Sequence, residues 1–278
     1  MYDAASRSDA TVLQRAVGEL RVVLRVRDGH TVLDRLRQAG CLKARFPRPE
    51  CHDWSTVVTL NTSGGIAGGD ALTSSFELEP GARATIASQA AERFYRALPA
   101  SVPASVATRI AVATGCAVEW LPQETILFDR CAVDRNLEVE LAENASFLGI
   151  ETLVFGRAAM GETVQHVRLR DGIRIRRNGR LVLNDAIRME GEAARLLQRT
   201  AIAGGAGASA TIWFVAPDVE SRLDAVRAVL PDEAAASAWN GLLVTRLLAS
   251  SAAALRLTTT AVLDVLRDGR PLPRVWLC

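Results

Sequence analysis

The feature that most constrains this chain is an alternation of apolar and polar residues with a period of two, which recurs from residue 20 to beyond residue 180. A strand points successive side chains to opposite faces, so the pattern marks half-buried strands. Leu20-Arg21-Val22-Val23-Leu24-Arg25-Val26 reads as a first strand. Thr56-Val57-Val58-Thr59-Leu60 is short, β-branched and bounded by a glycine cluster, and Leu137-Glu138-Val139-Glu140-Leu141 sets acids against apolar residues. Ile173-Arg174-Ile175-Arg176 and Arg180-Leu181-Val182-Leu183 flank Asn178-Gly179. Asn-Gly tolerates the positive φ angles of a type I′ turn, so a hairpin is predicted there. Leu242-Leu243-Val244-Thr245-Arg246-Leu247 reads as a late strand.

Helical spacing is confined mostly to the last third. Val219, Leu223, Val226, Val229 and Leu230 share one stripe of a helix that begins after Pro217-Asp218 and stops at Pro231. A second helix is expected from about Ser251 to Arg267, with Leu255, Val262, Val265 and Leu266 on its apolar side. The predicted fold is therefore mainly β: stacked antiparallel sheets, sandwich- or solenoid-like, with a few α-helices toward the C-terminus. The chain has 278 residues, 49% of them hydrophobic, ample for a sizeable core. With no fixed-period repeat and no long linker, residues 15–278 read as a single β-rich domain behind a poorly ordered N-terminus of residues 1–14.

Charge narrows the function. Lys plus Arg (33) nearly balances Asp plus Glu (31), the formal net charge is +2, and the arginines are scattered among acids rather than gathered into a stripe. That excludes an ordinary nucleic-acid binder. The five cysteines, Cys41, Cys51, Cys116, Cys131 and Cys278, form no CxxC pair and fit neither a disulfide framework nor a structural zinc site. The first residues lack the apolar core of an export signal, and no apolar run approaches the roughly 18 residues of a membrane-spanning helix. A soluble, reduced, cytoplasmic protein with no membrane partner is expected.

Four segments invite a functional reading. Asn61-Thr62-Ser63-Gly64-Gly65-Ile66-Ala67-Gly68-Gly69-Asp70 has a backbone free to cradle a phosphate, but it lacks the Lys-Ser/Thr of a P-loop and the spacing of a dinucleotide fingerprint. A tight turn is the alternative. Ala87-Ser88-Gln89-Ala90-Ala91-Glu92-Arg93-Phe94-Tyr95-Arg96 gathers an amide, an acid, two guanidiniums and two aromatics, the composition of interface hot spots or of a wet strand face. In Val118-Glu119-Trp120-Leu121-Pro122-Gln123-Glu124-Thr125-Ile126-Leu127-Phe128-Asp129, Pro122 puts Gln123 and Glu124 on a bend beside a buried Trp120 and Leu121. A carboxylate there is a catalytic acid, a metal ligand with Asp129 as second oxygen donor, or a partner of neighbouring amides. In residues 147–162, Glu151 interrupts an apolar strand, which costs several kcal/mol unless something pairs it, and Arg157 is one candidate. His30, His52 and His166 are scattered, and Cys51-His52 is the only adjacent pair of soft ligands. No Ser-His-Asp or Cys-His arrangement follows from spacing.

These segments, in this order, resemble the urease accessory proteins called UreD or UreH. The resemblance rests on Gly64-Gly65-Ile66-Ala67-Gly68-Gly69-Asp70, Phe94-Tyr95-Arg96, Glu119-Trp120-Leu121-Pro122-Gln123-Glu124-Thr125-Ile126, the stretch Leu153 to Glu162 that includes Phe155-Gly156-Arg157 and Met160-Gly161-Glu162, and Pro273-Arg274-Val275-Trp276. It spans roughly residues 15 to 277. It departs at Arg93, where lysine is common, at Cys278, where threonine is usual, and over the first dozen residues.

The resemblance implies a mainly β, non-catalytic chaperone and scaffold for metallocentre assembly. Such a protein associates with apo-urease, with the helical partner UreF and, through it, with the GTPase UreG, while UreE is the indirect metal carrier. No cofactor is expected to bind tightly, and nickel is expected only in transit. A tight nickel site favours imidazole and thiolate, whereas a hand-over route needs exchanging oxygen ligands. Glu119, Glu124, Asp129 and Glu151 are the expected lining of such a path. A metal-dependent hydrolase using Glu124 and Asp129 with Cys51-His52 is the competing expectation.

Overall fold

A computed structural model describes residues 14–48, 53–99, 101–157 and 160–277. Residues 1–13, the Cys51-His52 step and Cys278 lie outside the described residues. The chain alternates between two stacked sheets. The first contains β1 (Val17–Arg27), β2 (His30–Gly40), β5 (Ala71–Leu78), β8 (Ala104–Val112), β11 (Ala132–Leu141), β13 (His166–Arg177) and β14 (Arg180–Glu192), in the order β14-β13-β11-β8-β5-β1-β2. The second runs β16-β17-β15-β12-β9-β6-β4-β3, from β3 (Leu42–Arg45), β4 (Ser55–Asn61), β6 (Arg83–Ser88), β9 (Ala117–Leu121), β12 (Ser146–Phe155), β15 (Ala208–Val215), β16 (Ala234–Trp239) and β17 (Leu242–Ala249). Two short strands, β7 (Glu92–Phe94) and β10 (Thr125–Leu127), pair with each other, and β10 also joins β12.

The expectation of a mainly β fold of stacked sheets holds, but the sheets are mixed and largely parallel rather than antiparallel. The ladders β1–β5–β8–β11–β13 and β4–β6–β9–β12 are parallel, and antiparallel pairing is confined to the margins. The reason is topological. Each crossing to the other sheet brings the chain back to the same end, so the next strand of a given sheet runs the same way. Ala71 pairs with Ser105, Ser105 with Asp134 and Asp134 with Arg170, steps of 34, 29 and 36 residues, which is why no fixed period is visible in the sequence.

The two sheets differ in solvation. Strands of the first turn apolar residues such as Leu24, Phe76, Ile110, Val139 and Ile175 onto the second sheet. Their outer faces carry cross-strand pairs, Arg21–Glu77 at 2.8 Å and Arg174–Glu138 at 3.1 Å. The second sheet is buried on both sides. Val57, Ile86, Phe147 and Val215 face the first sheet, while Leu148, Ile150, Ile212 and Leu243 pack under a helical layer. This explains why strands of the second sheet read as continuous apolar runs.

Three tight hairpin turns place an Asx residue and a glycine at positive φ: Asp28-Gly29 (51° and 77°), Asn178-Gly179 (50° and 73°) and Asn240-Gly241 (50° and 74°). The predicted Asn178-Gly179 hairpin is one of them. The helix expected after Pro217 is shorter and divided, with a 3₁₀ turn at Val219–Arg222 leading into α2 (Leu223–Arg227). Val219 and Val226 are buried as the stripe requires, but Val229 is exposed because the chain already turns toward β16. A further short helix, α1 (Ala193–Gln198), follows β14. The last helix, α3 (Ala252–Leu266), matches its expectation: the Ser251 hydroxyl caps it by accepting from the Ala254 amide at 3.2 Å, and Leu255, Val262, Leu263 and Leu266 face the second sheet.

Beyond α3, Arg267 lies under the second sheet against Glu119, its Nε 3.0 Å from Oε1 and its Nη2 3.1 Å from Oε2. Arg270 donates to the same carboxylate at 2.6 Å and stacks 3.8 Å above the Trp54 ring, and the Thr85 hydroxyl donates to Oε2 at 2.6 Å. Arg267 and Glu119 are 3% and 2% exposed. Arg267→Met leaves Glu119 buried beside a single arginine, with an expected loss of about 3 kcal/mol in stability. Urea unfolding checks this, and a shift of the midpoint within error of zero contradicts the role assigned to the pair.

Candidate functional site

Period-two parity sorts the interior charges. On β11 the inward positions are Val133, Arg135, Leu137, Val139 and Leu141, and on β13 they are Val167, Leu169, Asp171, Ile173 and Ile175. Arg135 and Asp171 thus occupy slots otherwise given to aliphatic residues, and β11–β13 register sets them side by side. Arg135 donates to both Asp171 oxygens, Nε to Oδ1 at 2.8 Å and Nη2 to Oδ2 at 2.6 Å. Its Nη1 reaches Glu151 Oε2 at 2.7 Å and the Thr125 hydroxyl at 2.8 Å. Glu151 points inward from β12 in the opposite sheet and accepts the Trp120 indole N–H at 2.9 Å. The partner expected for Glu151, Arg157, instead binds Glu162 at 2.7 Å near the surface.

This cluster borders a cavity of about 290 Å³ between the sheets. Ser74 and Thr108 line its first-sheet side, Trp120 and Glu151 its second-sheet side, and Gly64, Gly65 and the Gln89 to Glu92 segment complete it. Asn61 donates to both Glu92 oxygens at 3.2 Å. Burial pushes the Glu92 carboxyl upward against the pull of Asn61 and of the Arg93 amide. Burial likewise outweighs the attraction of Arg135 and raises the Glu151 carboxyl. For Arg135 burial works against the charge, but Asp171 and Glu151 prevail and hold its guanidinium above its ordinary value.

The glycine-rich segment is a turn. Tyr95 donates its hydroxyl to the Gly64 carbonyl at 2.9 Å, and a Cβ on Gly65, whose φ is 142°, would sit 2.3 Å from the Tyr95 ring. Buried Asp70 closes it by accepting the Ala16 and Ala67 amides, both at 2.8 Å. Gly68 passes close to the loop before β8, where a Cβ would meet Ser101 Oγ at 2.6 Å, and Gly69 sits at φ 90°. Phe94 is buried, whereas Tyr95 and Arg96 are exposed. Tyr95 meets Phe128 edge-on at 5.0 Å, and Arg157 lies 4.3 Å over the other ring.

The bend after Pro122 receives the C-terminus. Gln123 Nε2 donates to the Val275 carbonyl, and its Oε1 accepts from Arg256 Nη1 at 2.9 Å. Arg256 also lies 3.4 Å from Glu124, donates to the Trp276 carbonyl at 2.5 Å and stacks on the Trp276 ring at 5.0 Å. The Trp276 indole donates to the Leu121 carbonyl at 2.9 Å. Arg274 begins the 3₁₀ turn that presents Trp276.

The four acids expected to line one path therefore lie in three places. Glu119 and Glu124 face the helical layer, Glu151 faces the cavity, and Asp129 caps the Gln165 and His166 amides at 2.8 and 2.9 Å. Glu124 and Asp129 flank opposite ends of β10, about 16 Å apart along an extended chain. Among the described residues no three His, Cys, Asp or Glu side chains gather closely enough to hold a metal ion. Burial pushes the Cys131 thiol up to about 12, and Cys116 donates its thiol to the Glu79 carbonyl at 3.0 Å. The charges missed in the sequence are Arg135, which lines the cavity, and its partner Asp171 behind it, and their signal was parity: a charge in the apolar register of an alternating strand.

Fold and site together define a two-sheet, solenoid-like β protein with a void between its sheets, lined by apolar side chains and a few charged and polar ones, and a helical layer clasped by its C-terminal segment. The profile of the UreD urease accessory protein family matches residues 16–277. A urease accessory protein UreD of Dinoroseobacter shibae is 46% identical over 267 residues, covering 95% of this chain and 93% of its own length. The UreD of Xanthobacter autotrophicus is 42% identical over 98% of this chain and 93% of its own, and UreD 1 of a Bradyrhizobium species 41% over 99% and 98%. This chain belongs to the UreD family of urease accessory proteins. No helix among its described residues is long and apolar enough to cross a membrane.

The elevated Glu92 carboxyl has a measurable consequence. Such a group contributes stability that is present below its ordinary value of 4.5 and lost as the pH climbs through its higher folded value. Glu92→Gln removes that loss, so the variant gains on the parent as the pH rises from 4.5 toward neutrality. Thermal midpoints of both proteins across this range check it, and a difference independent of pH counts against the account.

Proposed function

We propose that this chain is a non-catalytic assembly factor for urease, a cytoplasmic scaffold that holds apo-urease together with a UreF-like helical partner and, through it, the GTPase UreG. Nickel, delivered ultimately from UreE, is cargo here rather than a resident cofactor. Membership of the UreD family carries the reading of urease maturation.

The cavity supports a transit role for the metal. Glu92 and Glu151 present carboxylate oxygens to it, together with amide, hydroxyl and carbonyl groups. Oxygen donors of this kind bind a divalent nickel ion weakly and exchange readily, unlike clustered imidazole and thiolate. Of the acids first considered for such a path, Glu151 is the one with cavity access, and Glu92 joins it. Glu119, Glu124 and Asp129 serve the packing of the C-terminus and of the loops, and their loss affects transit only through folding.

Expression of the urease operon with and without this chain, scored for nickel bound to urease, tests the scaffold. Urease loaded equally in its absence overturns the reading. Glu92→Gln and Glu151→Gln, alone and combined, are expected to lower nickel occupancy while the chain still co-purifies with its partners. Normal occupancy in the double variant removes the transit role and leaves the scaffold standing. Turnover of a substrate by the purified chain, or a tightly held stoichiometric metal, would instead favour the hydrolase alternative.

A further inference from the structure

A second concavity lies at the end of the molecule where strands of the second sheet give way to those of the first. It is an open groove of about 450 Å³ lined by Arg96, Leu98, Ser101, Arg130, His166 and Arg168 among others. Three loops build it by backbone bonds: the Ala97 amide donates to Arg130 at 2.9 Å, the Arg130 amide to His166 at 2.8 Å, and the Arg168 amide to Cys131 at 3.0 Å. The groove is thus rigidly framed.

Its charge is unusual for this protein. Most arginines on the outer face of the first sheet pair with acids, but here Arg96 and His166 make no ion pair among the described residues, and Arg168 donates only to the Ser101 carbonyl at 2.8 Å. The acids beside the groove are each already engaged, one of them in a long ion pair with Arg130. Asp129 caps two amides and stands 3.6 Å from Arg130, Glu190 pairs with Arg188, and Glu192 pairs with Arg195. Arg130 is also conformationally singular: its φ is 62°, while every other described non-glycine residue at positive φ is Asp or Asn. A left-handed arginine is held at some cost where Asn or Gly would sit easily, and such outliers point to a task for the side chain. Arg96 belongs to the Phe94-Tyr95-Arg96 motif, yet its guanidinium meets no hydrogen-bond or ion-pair partner among the described residues. Leu98 (53% exposed) lines the groove with it as an apolar foothold.

We propose that this groove docks an acidic segment of a partner protein, whose carboxylates meet Arg96, Arg130 and Arg168 while an apolar side chain rests on Leu98. Arginine clusters recognise carboxylates through paired N–H donors. The near-neutral charge of the whole chain favours a short acidic peptide over a nucleic acid. The inference is independent of how nickel travels.

The test uses the full chain and a fluorescein-labelled peptide of alternating glutamate and leucine, followed by fluorescence anisotropy at low salt. The comparators are the same peptide with glutamine for glutamate and a DNA duplex of similar charge. The variant R96Q/R130N removes two charges, and Asn suits the left-handed position, so its thermal midpoint is expected to equal or exceed that of the parent. Binding of the acidic peptide should weaken about tenfold or more in the variant and with added salt. Equal binding of the glutamine peptide, no binding of the acidic one, or undiminished binding by the folded variant overturns the proposal. So does DNA binding as tight as that of the peptide and equally sensitive to the two substitutions, because the groove is then a general polyanion site.

Discussion

The second sheet is covered on both sides, by the first sheet on one and by α3 with the C-terminal turn on the other, and this double burial sets the terms for every polar group the sheet carries. A strand with two dry faces has no wet side on which to place an acid. Glu119 and Glu151, on adjacent strands, point to opposite faces, and each must find its counter-charge within the protein. Glu119 finds Arg267 and Arg270 from beyond the last helix, and Glu151 finds Arg135 from the opposite sheet. The two pairs tie three layers together through one strand pair.

Much of this architecture was legible in the residues. The alternation in Leu137 to Leu141 announced a strand with one wet face, and Asn178-Gly179 announced its hairpin. The same logic applied to Asn240-Gly241 and Asp28-Gly29 locates two more turns. Strand direction was not legible, because alternation looks the same in parallel and antiparallel ladders and the coil lengths vary. The candidate site was legible in part. Glu151 stood out as an acid in an apolar run, but its partner lies sixteen residues before it, on a strand of the other sheet, so the nearer Arg157 was the natural and mistaken choice. Arg135 and Asp171 hid in strands already rich in charge, and only counting parity from Val133 or Val167 separates them from their solvent-facing neighbours.

The segments that looked most functional divide into two kinds. The bend at Gln123 and Glu124 and the distant Pro273-Arg274-Val275-Trp276 are halves of one clasp, joined through Arg256 and the Trp276 indole. Their specificity is that of a lock between chain segments some 150 residues apart (Leu121 to Trp276). The turn from Gly64 to Asp70 and the Phe94-Tyr95-Arg96 segment likewise support each other through Gly65 and Tyr95. Left over are side chains without a partner among the described residues, chiefly Arg96, together with the polar groups that line the void. Those residues are where binding chemistry has room to act.

The order of strands has a consequence for how the protein comes into being. Apart from the edge hairpins β1–β2 and β16–β17, strand positions follow the order of synthesis, from β1 through β5, β8, β11 and β13 in the first sheet and from β3 and β4 through β6, β9, β12 and β15 in the second. Each coil leaving the ribosome can settle on the growing edge left by its predecessor, with no threading and no waiting for a distant partner. The helical layer breaks that rule. Leu148, Ile150 and Ile212 are laid down well before α3 is made to shelter them, so the nascent chain carries an apolar face without that cover until α3 arrives. Cover for this face comes late in synthesis, and a polypeptide released before α3 is a sticky one.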